Sequence, residues 1–289
     1  MNRILITGAT GNIGIEVIRF LMESDTSNDA IAAVRDIEKA KRLFEGYDRL
    51  QYVFFDFENP ATFKEATHNV DRVFLLRPPH LADVGKYFKP LIEIFKEQQI
   101  KEIVFLSVQG AEKSKVIPHN KIEHLIKELN FDYIFLRPSY FMQNLTTTLL
   151  DDIKIKRQII LPSGRAKFNW IDIENIGETS SILLNRFSEF KNREIEITGD
   201  ENENFSKVVG LINESIARPI RFRSVNPLTY FQIKKNEGME KGLILVMIML
   251  HFLPRFQKEP TISDFYEKLT GKKPTSLIDF IRREKEIFD

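Results

Sequence analysis

Arg3-Ile4-Leu5-Ile6-Thr7-Gly8-Ala9-Thr10-Gly11-Asn12-Ile13-Gly14 decides how the rest of this 289-residue chain is read. An apolar run, Ile4 to Ile6, leads straight into a loop with glycine at 8, 11 and 14. A helical pattern follows, with Ile13, Val17, Ile18 and Leu21 on one face. Strand, glycine loop and helix together put bare backbone N–H groups at a helix start, where they attract an anion. Gly8 permits a tight turn, Gly11 lets the backbone approach a pyrophosphate, and Gly14 lets the helix pack close to the strand. The stretch therefore reads as a dinucleotide-binding corner, with Gly8, Thr10, Gly11, Asn12, Ile13 and Gly14 holding the linked phosphates.

Strand patterns recur at Ala30–Val34, Leu50–Phe55, Asp71–Leu76, Glu102–Ser107 and Asp132–Leu136. Helical patterns separate them, at Ile37–Phe44, at Val84–Gln99 and through Leu129. Such alternation predicts a parallel sheet covered by helices, whose strand carboxyl ends line the cofactor crevice. Arg35 stands just past the second strand, where an arginine pairs with a 2′-phosphate, so NADP(H) is favoured over NAD(H); Asp36 beside it leaves NAD(H) open. Leu76 and Arg77 are expected near the cofactor, and His80 either faces a substrate or opens a helix at the surface. Arg137 before Pro138 predicts a turn. Beyond Leu150 the alternation weakens into short strands at Ile159–Pro162, Lys167–Ile171, Arg193–Ile197 and Ile220–Val225, with helices at Ile173–Leu184, Phe205–Ala217 and Pro227–Lys234. The expected division is a nucleotide-binding core over 1–150 and a mixed segment over 151–289 that completes the core and forms a smaller lobe.

Bulk properties exclude several functions. A net charge of +1 gives no global field toward nucleic acid or an anionic membrane, so neither is expected as a partner. The chain has no cysteine, which rules out disulfides and thiolate chemistry and suits a cytoplasmic protein without a leader. The five histidines are scattered and make no metal site, and there is no G-x-S-x-G elbow. The apolar run Gly242–Leu253 is shorter than the roughly 20 residues a membrane span needs, which predicts a buried helix.

The spacing G-x-x-G-x-x-G differs from the G-x-G-x-x-G of dehydrogenases and resembles the atypical short-chain dehydrogenase/reductases. Within that group the chain is similar to the NmrA-like family, which includes NADPH-dependent quinone and triphenylmethane reductases and non-catalytic redox sensors. The likeness rests on Ser107 followed by Gly110-Ala111, and on the run K…E…L…D-Y-I-F-L-R-P-x-x-F-M-x-N that ends at Asn144. Trp170-Ile171-Asp172 and the terminal Leu-Thr-Gly then Pro-x-Ser-Leu-x-x-Phe extend it. The resemblance implies an α/β fold, a Rossmann-type doubly wound parallel sheet with a smaller C-terminal α+β lobe. It also implies adenine contacts from Asp56 and Phe57, Ser107 beside the nicotinamide, and Lys121 on the ribose, with Ser107 and Lys121 as the catalytic pair. Tyr140 and Phe141 would border both nicotinamide and acceptor, and His80, Asn144 and Trp170 would complete the acceptor site.

One departure decides the chemistry. Short-chain reductases pair a tyrosine with the lysine four residues later, yet Ile117 stands four residues before Lys121. Without that proton donor, alcohol dehydrogenation and nucleotide-sugar epimerisation lose support. A quinone leaves as a phenol-like anion with pKa about 10, which water can protonate, and a cationic dye needs no proton. The expected function is hydride transfer from NADPH to a quinone-like or dye-like small molecule. The alternative is a sensor that binds NAD(P) and signals to a protein partner.

Overall fold

The computed structural model describes residues 2–26 and 28–289 of the chain; Met1 and Ser27 lie outside the described residues. The chain begins β1 (Arg3–Ile6), α1 (Asn12–Glu23), β2 (Asp29–Val34), α2 (Ile37–Leu43) and β3 (Gln51–Phe54). It continues α3 (Phe63–Ala66), β4 (Arg72–Leu76), α4 (Val84–Tyr87), α5 (Lys89–Glu97), β5 (Glu102–Leu106), α6 (Pro118–Glu128) and β6 (Asp132–Pro138). It then leaves this series for β7 (Tyr140–Phe141), α7 (Leu150–Lys154), β8 (Gln158–Leu161) and β9 (Lys167–Ile171), and returns with α8 (Ile173–Asn185), α9 (Phe187–Phe190) and β10 (Arg193–Ile197). The remainder is β11 (Asn202–Asn204), α10 (Phe205–Asn213), β12 (Arg221–Ser224), α11 (Pro227–Asn236), α12 (Lys241–Phe252), α13 (Phe265–Thr270), α14 (Leu277–Arg283) and α15 (Lys285–Phe288).

The chain divides into two units, Met1–Pro138 with Ile173–Ile197, and Ser139–Asp172 with Thr198–Asp289. The first unit's continuous segment ends at Pro138, and the unit takes back α8, α9 and β10.

In the first unit seven strands lie in the order β10-β6-β5-β4-β1-β2-β3, every neighbouring pair parallel. This is the doubly wound Rossmann-type sheet. The order reverses between β1 and β4, the switch point beside which such sheets take ligands. Ile4–Ile6, Val73–Leu75 and Ile103–Leu106 are buried, as expected of strands covered on both faces. On one face Phe63, Phe88, Leu91, Phe95 and Ile126 close the core. On the other, α1 lies against α8 at a contact only glycine allows: a Cβ at Gly177 would sit 2.5 Å from the Glu16 Cβ.

The second unit holds a three-stranded sheet, β11-β9-β7, and a parallel pair, β12 and β8. Its core gathers Trp170, Phe205, Tyr230, Phe280 and Phe288, all fully buried.

Four sequence expectations are corrected. The single helix over Val84–Gln99 is two, because Pro90 in the first turn of α5 supplies no N–H to continue the ladder through Phe88. The turn at Arg137 is absent: β6 runs through Pro138, which pairs in register with Ile197. The restriction that proline places on the residue before it favours extended backbone, so it suits a strand as well as a turn. The helix expected to reach Ala217 stops at Asn213, whose side-chain amide exchanges two hydrogen bonds with the Ile220 backbone at 2.8 and 3.0 Å. Finally, α12 is not a buried helix. Ile244, Met247 and His251 are buried, whereas Leu243, Leu245, Val246, Met249, Leu250 and Leu253 are exposed. A sequence apolar all round carries no periodicity to say which face is covered.

Candidate nucleotide-binding site

The glycine corner sits at the switch point. Gly8 adopts φ +63°, a left-handed conformation, and its carbonyl accepts the Gly11 N–H at 3.0 Å, which tightens the loop. Gly14 is buried against the same carbonyl, which a Cβ there would approach to 2.2 Å. Gly11 is the N-cap of α1 and gives it no side-chain cap, and Thr10, Gly11 and Asn12 are exposed. The first N–H groups of a 12-residue helix are thus left open toward solvent by the protein's own side chains. That arrangement fits a dinucleotide pyrophosphate. Thr7, which the sequence reading passed over, locks the two sides of the switch point: its buried hydroxyl donates to the Phe74 carbonyl at 3.0 Å and accepts the Leu76 N–H at 2.9 Å.

The remaining first-unit candidates lie along the carboxyl rim of the sheet. Arg35 is exposed directly after β2 and forms no ion pair among the described residues. Asp36 caps α2, accepting the Lys39 N–H at 2.9 Å. Asp56 follows β3 and accepts the Glu58 N–H at 3.0 Å, while Phe57 packs edge-on against Phe55 in the core. Leu76 touches the corner, 3.0 Å from where a Gly8 Cβ would stand. Arg77 folds back on its own loop, donating to the carbonyls of Pro78, Pro79 and Leu81 at 3.0–3.1 Å, and its Nε lies 3.4 Å from Nε2 of His119. Burial, and then the Arg77 charge, push the His119 pKa down to about 3, so the imidazole is neutral and accepts. His80 is exposed beyond this loop.

Ser107 is buried just past β5, and its hydroxyl donates to Glu123 of α6 at 2.6 Å. Arg137 of β6 grips the same carboxylate through Nε at 2.9 Å and Nη2 at 2.6 Å. Glu112 and Glu194 also reach this guanidinium, at 3.1 and 2.8 Å. Burial opposes the Arg137 charge, and these carboxylates more than offset it and raise its pKa. The α6 residue bonded to Ser107 is Glu123. Lys121 is exposed in the first turn of α6 and lines a groove of about 540 Å³ with Val84, Lys89 and His124. Glu123 was missed because nothing local marks a carboxylate that finds its arginine fourteen residues on, across a strand.

Tyr140, Phe141, Asn144 and Trp170 belong to the second unit. The Tyr140 hydroxyl lies 3.0 Å from Nε2 of His251, whose Nδ1 is 2.7 Å from the Met247 carbonyl. Nδ1 therefore carries the proton, and the phenol donates to Nε2. Burial raises the tyrosine pKa and lowers that of His251 to about 4, so both stay neutral. Phe141 and Asn144 are half-buried. Trp170, expected against the acceptor, has no exposed surface: its indole N–H donates to the Glu203 carbonyl at 2.9 Å and its ring stands 4.9 Å from that of Tyr140. It is a packing residue. Among the described residues no cluster of His, Asp and Glu is fit to hold a metal, and no helix is long and apolar enough to cross a membrane.

Known proteins resemble this chain in sequence and in fold. Prestalk A differentiation protein A of Dictyostelium discoideum is 30% identical, over 96% of this chain and 91% of its own. An NAD(P)H azoreductase of Xenophilus azovorans is 26% identical over 99% of each. The triphenylmethane reductase of Citrobacter superposes with a TM-score of 0.85 at 19% identity, covering 98% of this chain and 99% of the other. The NADPH-dependent quinone oxidoreductase of Escherichia coli, solved with NADPH, gives 0.84 at 18% identity, covering 97% and 99%. The sequence profile of the NmrA-like family matches residues 1–281, and the chain belongs to that family.

Proposed function

We propose that the protein is an NADP(H)-dependent oxidoreductase that passes hydride to a quinone-like or dye-like acceptor. The observation that carries this reading is the uncapped start of α1 at the switch point, where Gly11 leaves the first N–H groups open. The corner from Gly8 to Gly14 holds the pyrophosphate. Arg35, solvent-exposed and without an ion pair among the described residues, takes the 2′-phosphate. Asp56 contacts the adenine side, and Leu76 floors the corner. When bound, the dinucleotide supplies the hydride, and the protein's part is to position it. Ser107 serves that end: Glu123 and Arg137 fix its hydroxyl rotamer, so its lone pairs face a constant direction. Lys121 is assigned to the ribose by the family resemblance. The same resemblance assigns Phe141, Asn144 and Tyr140 of the second unit to the acceptor, with Trp170 packed behind Tyr140, and separately assigns His80 of the first unit.

Ile117, in the place of the proton-donating tyrosine, limits the acceptors to those whose reduced form leaves as a stabilised anion or needs no proton. A quinone and a triphenylmethane dye, named in two similar proteins, meet that condition; an azo dye, named in a third, gives a basic nitrogen anion on taking hydride and so tests it. The same isoleucine favours a second reading, a sensor that binds NADP(H) and signals to a protein partner without turnover. The test is a panel of quinones, azo dyes and triphenylmethane dyes mixed with the protein and NADPH, followed by loss of cofactor absorbance. Turnover on any of them supports the reductase. Saturable NADPH binding with no turnover supports the sensor, and no binding of either cofactor removes both.

A further inference from the structure

The outward face of α12 is apolar without interruption. At the 100° step of a helix, Leu243, Leu245, Val246, Met249, Leu250 and Leu253 fill one continuous arc, and each is 42–51% exposed. Ile244, Met247 and His251 occupy the opposite arc and are buried. No charged side chain interrupts the outer arc between Lys241 and Arg255. Water-facing helices carry polar residues on this side, so the face is built to be covered.

The ends of the helix tell what covers it. Past its C-terminus, Arg165, Lys167, Arg255 and Lys258 line one pocket against a single carboxylate, Glu259, which pairs with Lys167 at 2.9 Å. Arg165, Arg255 and Lys258 form no ion pair among the described residues, and Phe256 next to them is 73% exposed. At the other end Lys241 stands beside the exposed N-cap Glu240, so the basic excess lies at the C-terminal end alone. The near-zero net charge of the chain averages over this local excess. A basic cluster at one end of an apolar helix face, with an aromatic at the boundary, complements the headgroups and acyl edge of an anionic lipid surface.

We infer that the outer face of α12 docks on an anionic lipid surface, lying in the plane of the interface. Twelve residues of helix extend about 18 Å, well short of the roughly 30 Å of a hydrocarbon core, so the helix rests on the surface and does not span it. A second copy of the chain is the weaker occupant. The six side chains offer roughly 500 Å², below the roughly 800 Å² each partner gives a standard interface. Pairing at the C-terminal end would also bring like charges together.

The test is co-sedimentation of the full-length protein with vesicles of phosphatidylcholine alone and of phosphatidylcholine mixed with an equal amount of phosphatidylglycerol. The protein is expected to pellet with the mixed vesicles, at least about tenfold more tightly than with phosphatidylcholine alone, and to be released by salt. Val246→Asp with Leu250→Asp, both at exposed positions, abolishes pelleting at an unchanged melting temperature. Arg255→Ser with Lys258→Ser leaves the apolar face intact and weakens binding roughly fivefold per cation. Three results would overturn the inference: a wild-type protein that stays in the supernatant, variants that pellet like wild type, or a free dimer that the Val246/Leu250 variant splits into monomers.

Discussion

Single side chains set both affinity and stability in the first unit. Arg35 is exposed and forms no ion pair among the described residues, so its replacement breaks no salt bridge there. Arg35→Ala is expected to weaken NADPH binding roughly tenfold or more, the worth of a charge-assisted phosphate contact, and to leave NADH within about twofold. Fluorescence titration with both cofactors measures this; equal weakening of the two would refute the role. Glu123 stands at the other extreme. It is buried, bonded to Ser107 and held twice by Arg137. Glu123→Ala leaves a buried guanidinium short of its main partner and is expected to cost about 3–5 kcal/mol in urea denaturation. The two residues differ in how the sequence marks them. Arg35 is marked by its place after a strand, a local signal. Glu123 reads as one carboxylate among many on a charged helix, and its importance comes from two strands that the sequence does not show beside it.

Elements carry the site through how closely they pack. The corner is aimed by α1, and α1 is held by α8 through the bare backbone of Gly177, where an added Cβ would stand 2.5 Å from one Glu16 atom and 2.8 Å from another. The second of these is main chain and cannot swing aside. Gly177→Ala therefore has to push α1 away from α8, at a cost of about 1–3 kcal/mol. Because the helix start moves with the helix, the same variant is expected to raise the Kd for NADPH severalfold, although residue 177 lies far along the chain from the corner. Thermal melting and cofactor titration of one preparation check both parts; lost stability with unchanged affinity would show that the corner does not depend on this packing. Most strands and helices of the first unit were legible because each carries its own period and the glycine loop fixes the first of them; the break before Pro90 and the run of β6 through Pro138 were not. The docking of α8 on α1 was not legible, since a glycine inside a helix does not announce what it touches. For α12 the period failed altogether, and only the fold reveals its exposed face.

At the scale of the whole molecule the chain passes between its two units three times, and each unit has a core of its own. The second unit's core contains an acid-labile pair. His251 is fully buried, donates from Nδ1 to the Met247 carbonyl and accepts the Tyr140 hydroxyl at Nε2. Burial lowers its pKa from 6.5 to about 4. An unfolded histidine takes up its proton near pH 6.5, whereas the folded one resists until about pH 4. The unfolded state therefore binds more protons between these values, and stability is whole above pH 6.5 and falls as the pH drops toward 4. At pH 5 the loss from this residue is roughly 2 kcal/mol. The chain's one tryptophan, Trp170, lies in the same core, so its fluorescence reports the unfolding of the second unit. The urea midpoint followed by tryptophan emission is expected to fall between pH 7 and pH 5. In His251→Gln, whose amide accepts from Tyr140 without titrating, the midpoint starts lower and falls less. A parallel decline in both proteins would mean that groups other than His251 govern the acid sensitivity of that core.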